Sequence, residues 1–273
     1  MPGQLLGDRY EVEKQLGKQS GRWTLLARDL VTQDPVILKV LCIDEEMLAD
    51  DLMLFQREIE TLQTLEHPDT PKYLGYFEIE LPKAGKAIVL LQSYIAGQSL
   101  QTYLAEGRVF SEPEARQIAG AILPILTYLH NHQPAIIHRD IKPSNILLTG
   151  SPDQPTAGQI CLIDFGSVRL STTLPMDQTT TTIVGSDGYI PPEQIGRRAV
   201  NASDLYGLGV TLISSLTGLP ATQLPRQGIQ IDVRRSVDCS PAFTQWLCQM
   251  TDVELYRRFS TAEAALEALL ALE

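Results

Sequence analysis

The first third of the chain alternates apolar and polar residues in the way that strands do. Five short runs rich in β-branched and aromatic residues are flanked by glycine, proline or aspartate, and each predicts a strand. These runs are Arg9–Leu16, Trp23–Asp29, Pro35–Cys42, Tyr73–Glu80 and Lys86–Tyr94. Between the third and fourth runs, apolar residues recur at steps of four and three, at Leu48, Leu52, Phe55, Ile59 and Leu62. That spacing lines one face of a helix, so this part of the chain predicts a small sheet with one helix.

Helical spacing dominates the chain after residues 96–98, which we interpret as a hinge. Ser111 provides an N-cap and Pro113 a first-turn proline for the first long helix. Further helices are predicted near Ala202–Thr217, Pro241–Met250 and Thr261–Leu272. The pattern therefore predicts an α+β fold with a β-rich front and a helical back.

Composition narrows the class of protein. The chain has 273 residues, of which 44% are hydrophobic and 20% charged, as in a globular protein. Its formal charge of 22 − 33 = −11 argues against a general attraction to nucleic acid or to anionic lipid. No apolar run reaches the roughly 18 residues that a membrane span needs, and the N-terminus does not resemble a signal peptide. The four cysteines, Cys42, Cys161, Cys239 and Cys248, are scattered, which favours a reducing, cytoplasmic environment.

The strongest chemical signal is the run His138-Arg139-Asp140-Ile141-Lys142-Pro143-Ser144-Asn145. It is followed 19 residues after Asn145 by Asp164-Phe165-Gly166. Phosphoryl transfer needs a carboxylate beside the attacking hydroxyl, oxygen ligands for Mg²⁺ and cations along the phosphates. We expect Asp140 to be the base, Asn145 and Asp164 the metal ligands, and Lys142 a charge near the transferred phosphate.

These two motifs resemble the catalytic loop and the magnesium-binding tripeptide of eukaryotic-type (Hanks-type) serine/threonine protein kinases, which also occur in bacteria. The resemblance extends from about Tyr10 to Leu272. It implies a bilobal fold, with an N-lobe at residues 1–95 and a C-lobe at 96–273. It also implies ATP and Mg²⁺ as cofactors and transfer of the γ-phosphoryl group to serine or threonine of a protein.

The resemblance assigns roles outside the two motifs as well. Val36-Ile37-Leu38-Lys39 matches the strand whose lysine holds the α- and β-phosphates, and Glu58 matches its ion-pair partner. Asp204 is expected to hold the backbone of the catalytic loop, and Glu193 is expected to pair with Arg258. His138 is expected to pack against Phe165 rather than to act as an acid or base.

One motif departs from the family. The family's glycine-rich loop is represented by Gly17 and Gly21, while Gln19 and Arg22 occupy two of its glycine positions and Thr24 its valine position. Either Lys18 and Arg22 replace backbone donors with side-chain charge and ATP stays bound, or ATP binding is weak and the chain is a pseudokinase scaffold. We favour the first alternative because the catalytic residues are all present.

Other residues are expected to surround the nucleotide by resemblance. Ser93 and Ile95 would meet the adenine through the backbone, Gln92 would stand at the back of the pocket, and Leu147 would lie under the purine. The full set expected at the nucleotide is Leu16, Gly17, Lys18, Gly21, Arg22, Thr24, Ile37, Lys39, Gln92, Ser93, Ile95, Leu147 and Asp164.

The resemblance also indicates the substrate and its control. Lys142 is typical of serine/threonine rather than tyrosine specificity. Ser186 corresponds to the position next to the acceptor residue. Residues 188–193 resemble the end of an activation segment, which favours a protein substrate over the alternative of a small-molecule phosphotransferase. Residues 171–186 are polar and threonine-rich, which predicts a loop.

Within this loop, we expect phosphorylation in trans on Thr179, Thr180, Thr181 or Thr182. Arg139 and Arg169 are expected to bind the resulting phosphate. The alternative is a flexible polar loop with no regulatory role.

Overall fold

The computed structural model describes residues 2–19, 21–43, 49–81, 85–170 and 185–272. The chain divides into two compact units, residues 1–96 and residues 97–273. The sheet belongs to the first unit and most of the helices belong to the second, so the α+β class predicted from the sequence is confirmed.

The first unit contains an antiparallel sheet of six strands with one helix. In chain order the elements are β1 (Leu5–Leu6), β2 (Tyr10–Gln19), β3 (Arg22–Asp29), β4 (Pro35–Ile43), α1 (Ala49–Thr64), β5 (Tyr73–Leu81) and β6 (Gly85–Ser93). The strands lie in the order β1-β2-β3-β4-β6-β5. All the predicted strands and the helix are present, and only the two-residue β1 was not expected.

Alternation along the strands separates two faces of this sheet. One face is an apolar cluster that includes Val36, Leu38 and Val40 of β4, all at most 4% exposed. Since successive side chains of a strand point to opposite faces, Ile37, Lys39 and Leu41 point the other way. The charged lysine is therefore on the face away from the main apolar cluster.

The second unit is mainly helical. Its elements are β7 (Gln98–Ser99), α2 (Leu100–Ala105), α3 (Glu112–His130), β8 (Ile136–Ile137), β9 (Ile146–Leu148), β10 (Ile160–Leu162), β11 (Arg169–Leu170), α4 (Pro192–Ile195), α5 (Asn201–Thr217), β12 (Arg226–Gln227), β13 (Gln230–Ile231), α6 (Val233–Ser236), α7 (Pro241–Met250) and α8 (Ala262–Leu270). The four helices expected from the pattern correspond to α3, α5, α7 and α8. The short strands and α2 were not expected, because elements of two to six residues carry little periodic signal.

Local chemistry explains how these helices begin and pack. Helix α3 begins with a capping box, in which the Glu114 carboxylate accepts a hydrogen bond from the Ser111 N–H at 2.8 Å. Helix α5 is buried from Ala202 to Ser215 and forms the centre of the second unit. The Trp246 indole of α7 stacks on Phe243 and donates to the Ala265 carbonyl of α8 at 2.9 Å.

In the part of the chain that the structure describes, no helix has the length and apolar character needed to cross a bilayer.

Two glycines in this unit allow a matched stability test. Gly218 ends α5 with a φ of +69°, and a Cβ there would lie 3.1 Å from Val109. We expect Gly218→Ala to lower the free energy of unfolding by about 1 kcal/mol, because a Cβ is strained in the left-handed region. Gly120 lies inside α3 with no atom within 4 Å of its built Cβ, so Gly120→Ala should instead raise stability by up to about 1 kcal/mol. Urea unfolding of both variants measures the contrast, and equal effects of one sign would contradict the argument.

Candidate active site

A buried ion pair links the sheet of the first unit to its helix. The Lys39 ammonium of β4 contacts the Glu58 carboxylate of α1, and Glu58 is only 2% exposed. A buried carboxylate needs a cation or hydrogen-bond donors to offset its desolvation. The structure thus brings together the two residues that the sequence analysis assigned to a phosphate-binding pair.

The strand register places several of the expected nucleotide residues on the face that carries Lys39. Thr24 of β3 lies opposite Lys39, and Gly17 of β2 lies opposite Thr24. On the other side, Gln92 of β6 lies opposite Ile37, two residues before Lys39. Directly paired residues point to the same side of a sheet, so these five positions share one face.

The other residues expected around the nucleotide differ in their burial and in their hydrogen bonds. Ser93 is tied to the segment before β5, because its hydroxyl accepts the Lys72 N–H at 2.9 Å and its own N–H donates to the Lys72 carbonyl at 2.9 Å. Ile95 is half-buried, and Leu16 is exposed. The buried amide oxygen of Gln92 has no hydrogen-bond partner among the described residues. A buried acceptor of this kind is consistent with a polar partner supplied by a ligand.

The β2–β3 hairpin explains how the chain tolerates Gln19 and Arg22 in place of glycine. These two residues pair across the hairpin, and Gly21 lies between them in the chain. Gly21 has a φ of +64°, in the left-handed region that glycine adopts without steric cost. A glycine that supplies this conformation is therefore present near the tip of the hairpin, displaced by one position from the family pattern.

The two cations of this hairpin are engaged within the first unit. The Lys18 ammonium lies over the Trp23 ring, 5.9 Å from its centroid. The Arg22 guanidinium donates to the Asp51 carbonyl of α1 at 2.8 Å and to its carboxylate at 3.0 Å. The sequence analysis expected both cations to line the nucleotide, whereas in this structure Arg22 is bound by α1.

A second cluster of side chains that the sequence analysis expected to be functional lies in the second unit. The Lys142 ammonium is 2.7 Å from one Asp140 carboxylate oxygen and donates to the Ser186 hydroxyl at 2.6 Å. That hydroxyl in turn donates to the other Asp140 oxygen at 3.0 Å. The amide group of Asn145 donates to the Asp140 carbonyl at 2.8 Å and to its carboxylate at 3.2 Å. Asp140 is thus held in a fixed orientation, with 7% of its surface exposed.

The two expected metal ligands meet at one end of a short hairpin. Asn145 directly precedes β9 and Asp164 follows β10, and the Ile163 N–H donates to the Asn145 carbonyl at 2.9 Å. The amide nitrogen of Asn145 donates to Asp140, and its oxygen is an acceptor that takes a long hydrogen bond from the Ser144 hydroxyl at 3.3 Å. One amide oxygen and one carboxylate suit Mg²⁺, which takes oxygen ligands and completes its shell with water and phosphate. These residues fit the ion that the sequence predicts.

A buried carboxylate on α5 fixes the backbone of this cluster. Asp204 accepts the N–H groups of His138 at 2.9 Å and Arg139 at 2.7 Å, and His130 contributes a third hydrogen bond at 2.8 Å. Burial alone raises the pKa of Asp204, but the hydrogen bonds and the nearby imidazole outweigh burial and hold the pKa below its ordinary value. Arg139 has a φ of +67°, so the loop is held in a conformation that non-glycine residues rarely adopt.

His138 has the structural role that the sequence analysis expected. It is fully buried, and its ring meets Phe165 edge-on with 5.1 Å between centroids. Burial lowers the pKa of His138, which favours the neutral imidazole at neutral pH.

A second buried ion pair secures the segment after Ser186. The Arg258 guanidinium donates to the Glu193 carboxylate at 2.8 Å and to the Ala202 carbonyl at 2.8 Å. The Ser203 hydroxyl also donates to Glu193 at 2.8 Å. The predicted pair between Glu193 and Arg258 is therefore present.

The expected phosphate-binding arginines lie close to the catalytic cluster. The Arg139 guanidinium donates to the Ser167 carbonyl at 2.5 Å and to the Val168 carbonyl at 3.2 Å. Arg169 lies opposite Ile137 in the β8–β11 pair and donates to the Arg197 carbonyl at 3.2 Å. The four threonines predicted to be phosphorylated, Thr179 to Thr182, lie outside the described residues.

Sequence reasoning missed three partners that the structure reveals. Asp51 binds Arg22, His130 binds Asp204, and Ser186 bridges Asp140 and Lys142 rather than serving only as a neighbour of the acceptor residue. The first two contacts join residues that are separated by 29 and by 74 positions in the sequence, and no motif spacing predicts them.

A search of protein-family models gives a match over residues 10–269 to the model described as the protein kinase domain. Among curated proteins, serine/threonine-protein kinase B of Synechocystis sp. is 32% identical, over 97% of this chain and 46% of that protein. Serine/threonine-protein kinase PknA of Nostoc sp. is 34% identical, over 97% of this chain and 48% of that protein. Serine/threonine-protein kinase PrkC of Bacillus subtilis is 27% identical, over 96% of this chain and 40% of that protein. The chain thus spans about half the length of the curated relatives it matches.

The contacts of Asp204 generate a stability prediction. We expect Asp204→Asn to lower the free energy of unfolding by about 3 kcal/mol, because the amide nitrogen would face a buried donor. Because folding lowers the pKa of Asp204, its contribution is present above pH of about 4 and is lost as the pH falls further. The difference between the two proteins should therefore shrink in acid.

Chemical denaturation between neutral pH and pH of about 3 measures this difference. Asp238→Asn, at an exposed carboxylate of the same unit, is the control and should change stability by less than about 0.5 kcal/mol. A similar loss in both variants would contradict a special role for Asp204.

Proposed function

This chain belongs to the protein kinase family, and we propose that it transfers the γ-phosphoryl group of ATP to serine and threonine hydroxyls of proteins. The observation that carries the proposal is the cluster of Asp140, Lys142, Asn145 and Ser186, with Asp164 at the same end of the β9–β10 hairpin. In the proposed reaction, this cluster would supply a base, a cation and two oxygen ligands from one unit.

The contacts of the cluster suggest how its residues act on the acceptor. The incoming hydroxyl gives its proton to the Asp140 carboxylate as its oxygen bonds the γ-phosphorus, and the bond from that phosphorus to ADP breaks. Lys142, 2.7 Å from Asp140, stabilises the negative charge that moves onto the phosphoryl oxygens. Asn145 keeps the carboxylate oriented toward the acceptor.

A further set of residues would bind the nucleotide and the metal ion. When bound, Mg²⁺ neutralises charge on the phosphate oxygens, and Asn145 and Asp164 are the residues that would hold it. Lys39 would hold the α- and β-phosphates, with Glu58 fixing its ammonium. Thr24, Ile37 and Gln92 share the sheet face of Lys39, which supports their proposed place at the nucleotide.

The hairpin geometry also bears on the scaffold alternative. That alternative depended on the missing glycines, yet Gly21 supplies the positive φ of the turn and Gln19 pairs normally with Arg22. No observation favours a silent scaffold or a small-molecule phosphotransferase. Lys142 and the buried pair of Glu193 with Arg258 support a serine/threonine protein substrate, as the names of the bacterial relatives do.

We also propose a cytoplasmic location. The four cysteines, Cys42, Cys161, Cys239 and Cys248, are thiols that form no disulfide in the structure. Partly or fully buried thiols that form no disulfide are typical of reducing compartments.

The central test is transfer of labelled phosphate from Mg-ATP to generic protein acceptors. We expect incorporation by the wild-type protein and a loss of at least about a hundred-fold with Asp140→Asn, because the amide cannot accept the proton. Asp153→Asn, at an exposed carboxylate in the same unit, should retain full activity. Nucleotide binding without any transfer by the wild-type protein would instead support the scaffold.

We further propose control by phosphorylation within Thr179–Thr182, with Arg139 and Arg169 as the phosphate-binding residues. The β8–β11 pair supports this role of the two arginines, because it brings the segment that contains Arg169 next to the segment that directly precedes the catalytic loop. A phosphothreonine carries nearly two negative charges, and the two guanidinium groups in this region would bind it.

Phosphate mapping of the protein after incubation with Mg-ATP tests this control. We expect modification between Thr179 and Thr182, and labelling of the inactive Asp140→Asn protein by the active one, because the reaction is intermolecular. Replacing these four threonines by alanine should remove the label, whereas alanine at Thr172 and Thr173 should leave it. An active sample with an unmodified 179–182 stretch would refute the proposal.

A further inference from the structure

The tip of the β2–β3 hairpin carries a second cation on the same sheet face as Lys39. Arg22 lies opposite Leu41, and Thr24 lies opposite Lys39, in the pairing of β3 with β4. Leu41 and Lys39 are two residues apart on one strand and therefore point to the same side. Arg22 and Lys39 thus face the same element, which is α1.

Both cations find a carboxylate on α1. Asp51 and Glu58 are seven residues apart, which is two helical turns, so they lie on one helix face about 10.5 Å apart along the axis. Arg22 contacts Asp51 through both its carbonyl and its carboxylate, at 2.8 and 3.0 Å. The two ion pairs therefore hold the same face of α1 at its first turn and at its middle.

The base from which Arg22 reaches the helix is itself fixed. Gly21 forms the turn with its positive φ, and its carbonyl accepts the Cys42 N–H of β4 at 2.9 Å. Arg22 pairs with Gln19 on one side and with Leu41 on the other. The guanidinium thus projects from a strand that is bonded on both sides.

We propose that Arg22 and Asp51 form a second anchor of α1, which keeps Glu58 in register with Lys39. Arg22 is then a positioning residue, and it stands where the family pattern has a glycine that would leave the hairpin tip without a side chain. The pair acts within the first unit, so it holds the helix before any phosphate is added to the chain. Its effect on catalysis rests on the proposed function, whereas its effect on the helix does not.

The size of the effect follows from the exposure of the pair. The side chains of Arg22 and Asp51 are 22% and 36% exposed, so water partly screens their attraction. We expect loss of the pair to raise the local opening of α1 about five-fold, which is the upper range for such a partly exposed pair.

A double-mutant cycle in the intact chain tests the anchor. Amide hydrogen exchange of residues 52–62 is measured without nucleotide in wild type, Arg22→Ala, Asp51→Ala and the double variant. We expect each single change to speed exchange about five-fold and the double variant to add little, because both remove one interaction. Arg22→Lys should recover most of the protection. Arg28 lies on the same strand as Arg22, and Arg28→Ala removes its exposed pair with Glu13 of β2, so this control should leave α1 unchanged.

Steady-state kinetics on the same proteins provides the second measurement. We expect kcat/KM for ATP to fall about five-fold in each single variant, with the same lack of additivity. If Arg22 instead binds the phosphates directly, Arg22→Ala will lower kcat/KM equally in both Asp51 backgrounds and leave exchange without nucleotide unchanged, and the anchor is refuted. If the wild-type protein transfers no phosphate, the proposed function fails while the exchange data still decide the anchor.

Discussion

The conformation of the segment from His138 to Asp140 depends on one buried carboxylate. Asp204 is 1% exposed and accepts three hydrogen bonds, two of them from consecutive backbone N–H groups at His138 and Arg139. Arg139, one of the two backbone donors, has a positive φ of +67°. The strain of that backbone is offset by charge-assisted hydrogen bonds in a dry environment. The Asp140 side chain emerges directly after this strained residue, so the direction of the base is set by α5 and not by the loop itself.

A second structural constraint concerns Asn145, which follows Asp140 in the loop. Asn145 closes the catalytic loop by donating to Asp140, and it also begins the β9–β10 hairpin that leads to Asp164. Under the proposed function, the same side chain would orient the base and supply a metal oxygen, so a change at Asn145 would affect both roles. Ser186 adds a third support from a segment 46 residues away from Asp140, which makes the geometry of the base dependent on the segment that ends at Glu193.

Much of this could be predicted from the sequence, and the limits have physical causes. Strands with strong alternation and helices of nine or more residues were predicted, because burial of one face imposes a period on the residues. The sequence motifs singled out Lys39, Glu58, Asp140, Asn145 and Asp164 as expected site residues, since phosphoryl transfer admits few residue types at those positions. The short strands β7 to β11 could not be predicted from periodicity, because two or three residues do not define a period. The contacts of Asp51 and His130 depend on how distant elements pack, which local patterns do not encode.

The hairpin shows how the loss of a motif can leave its structural requirement satisfied. Gly21 provides a left-handed conformation at the hairpin tip, with a φ of +64°. The flanking positions then need only to pair as strand residues, and Gln19 and Arg22 do so. Once the glycine at the second flank is not needed for the turn, a side chain there becomes available for another task. Its direction is set by the strand register, which points it to the face that α1 covers. Arginine in place of the family's glycine therefore adds a contact with the helix that carries Glu58.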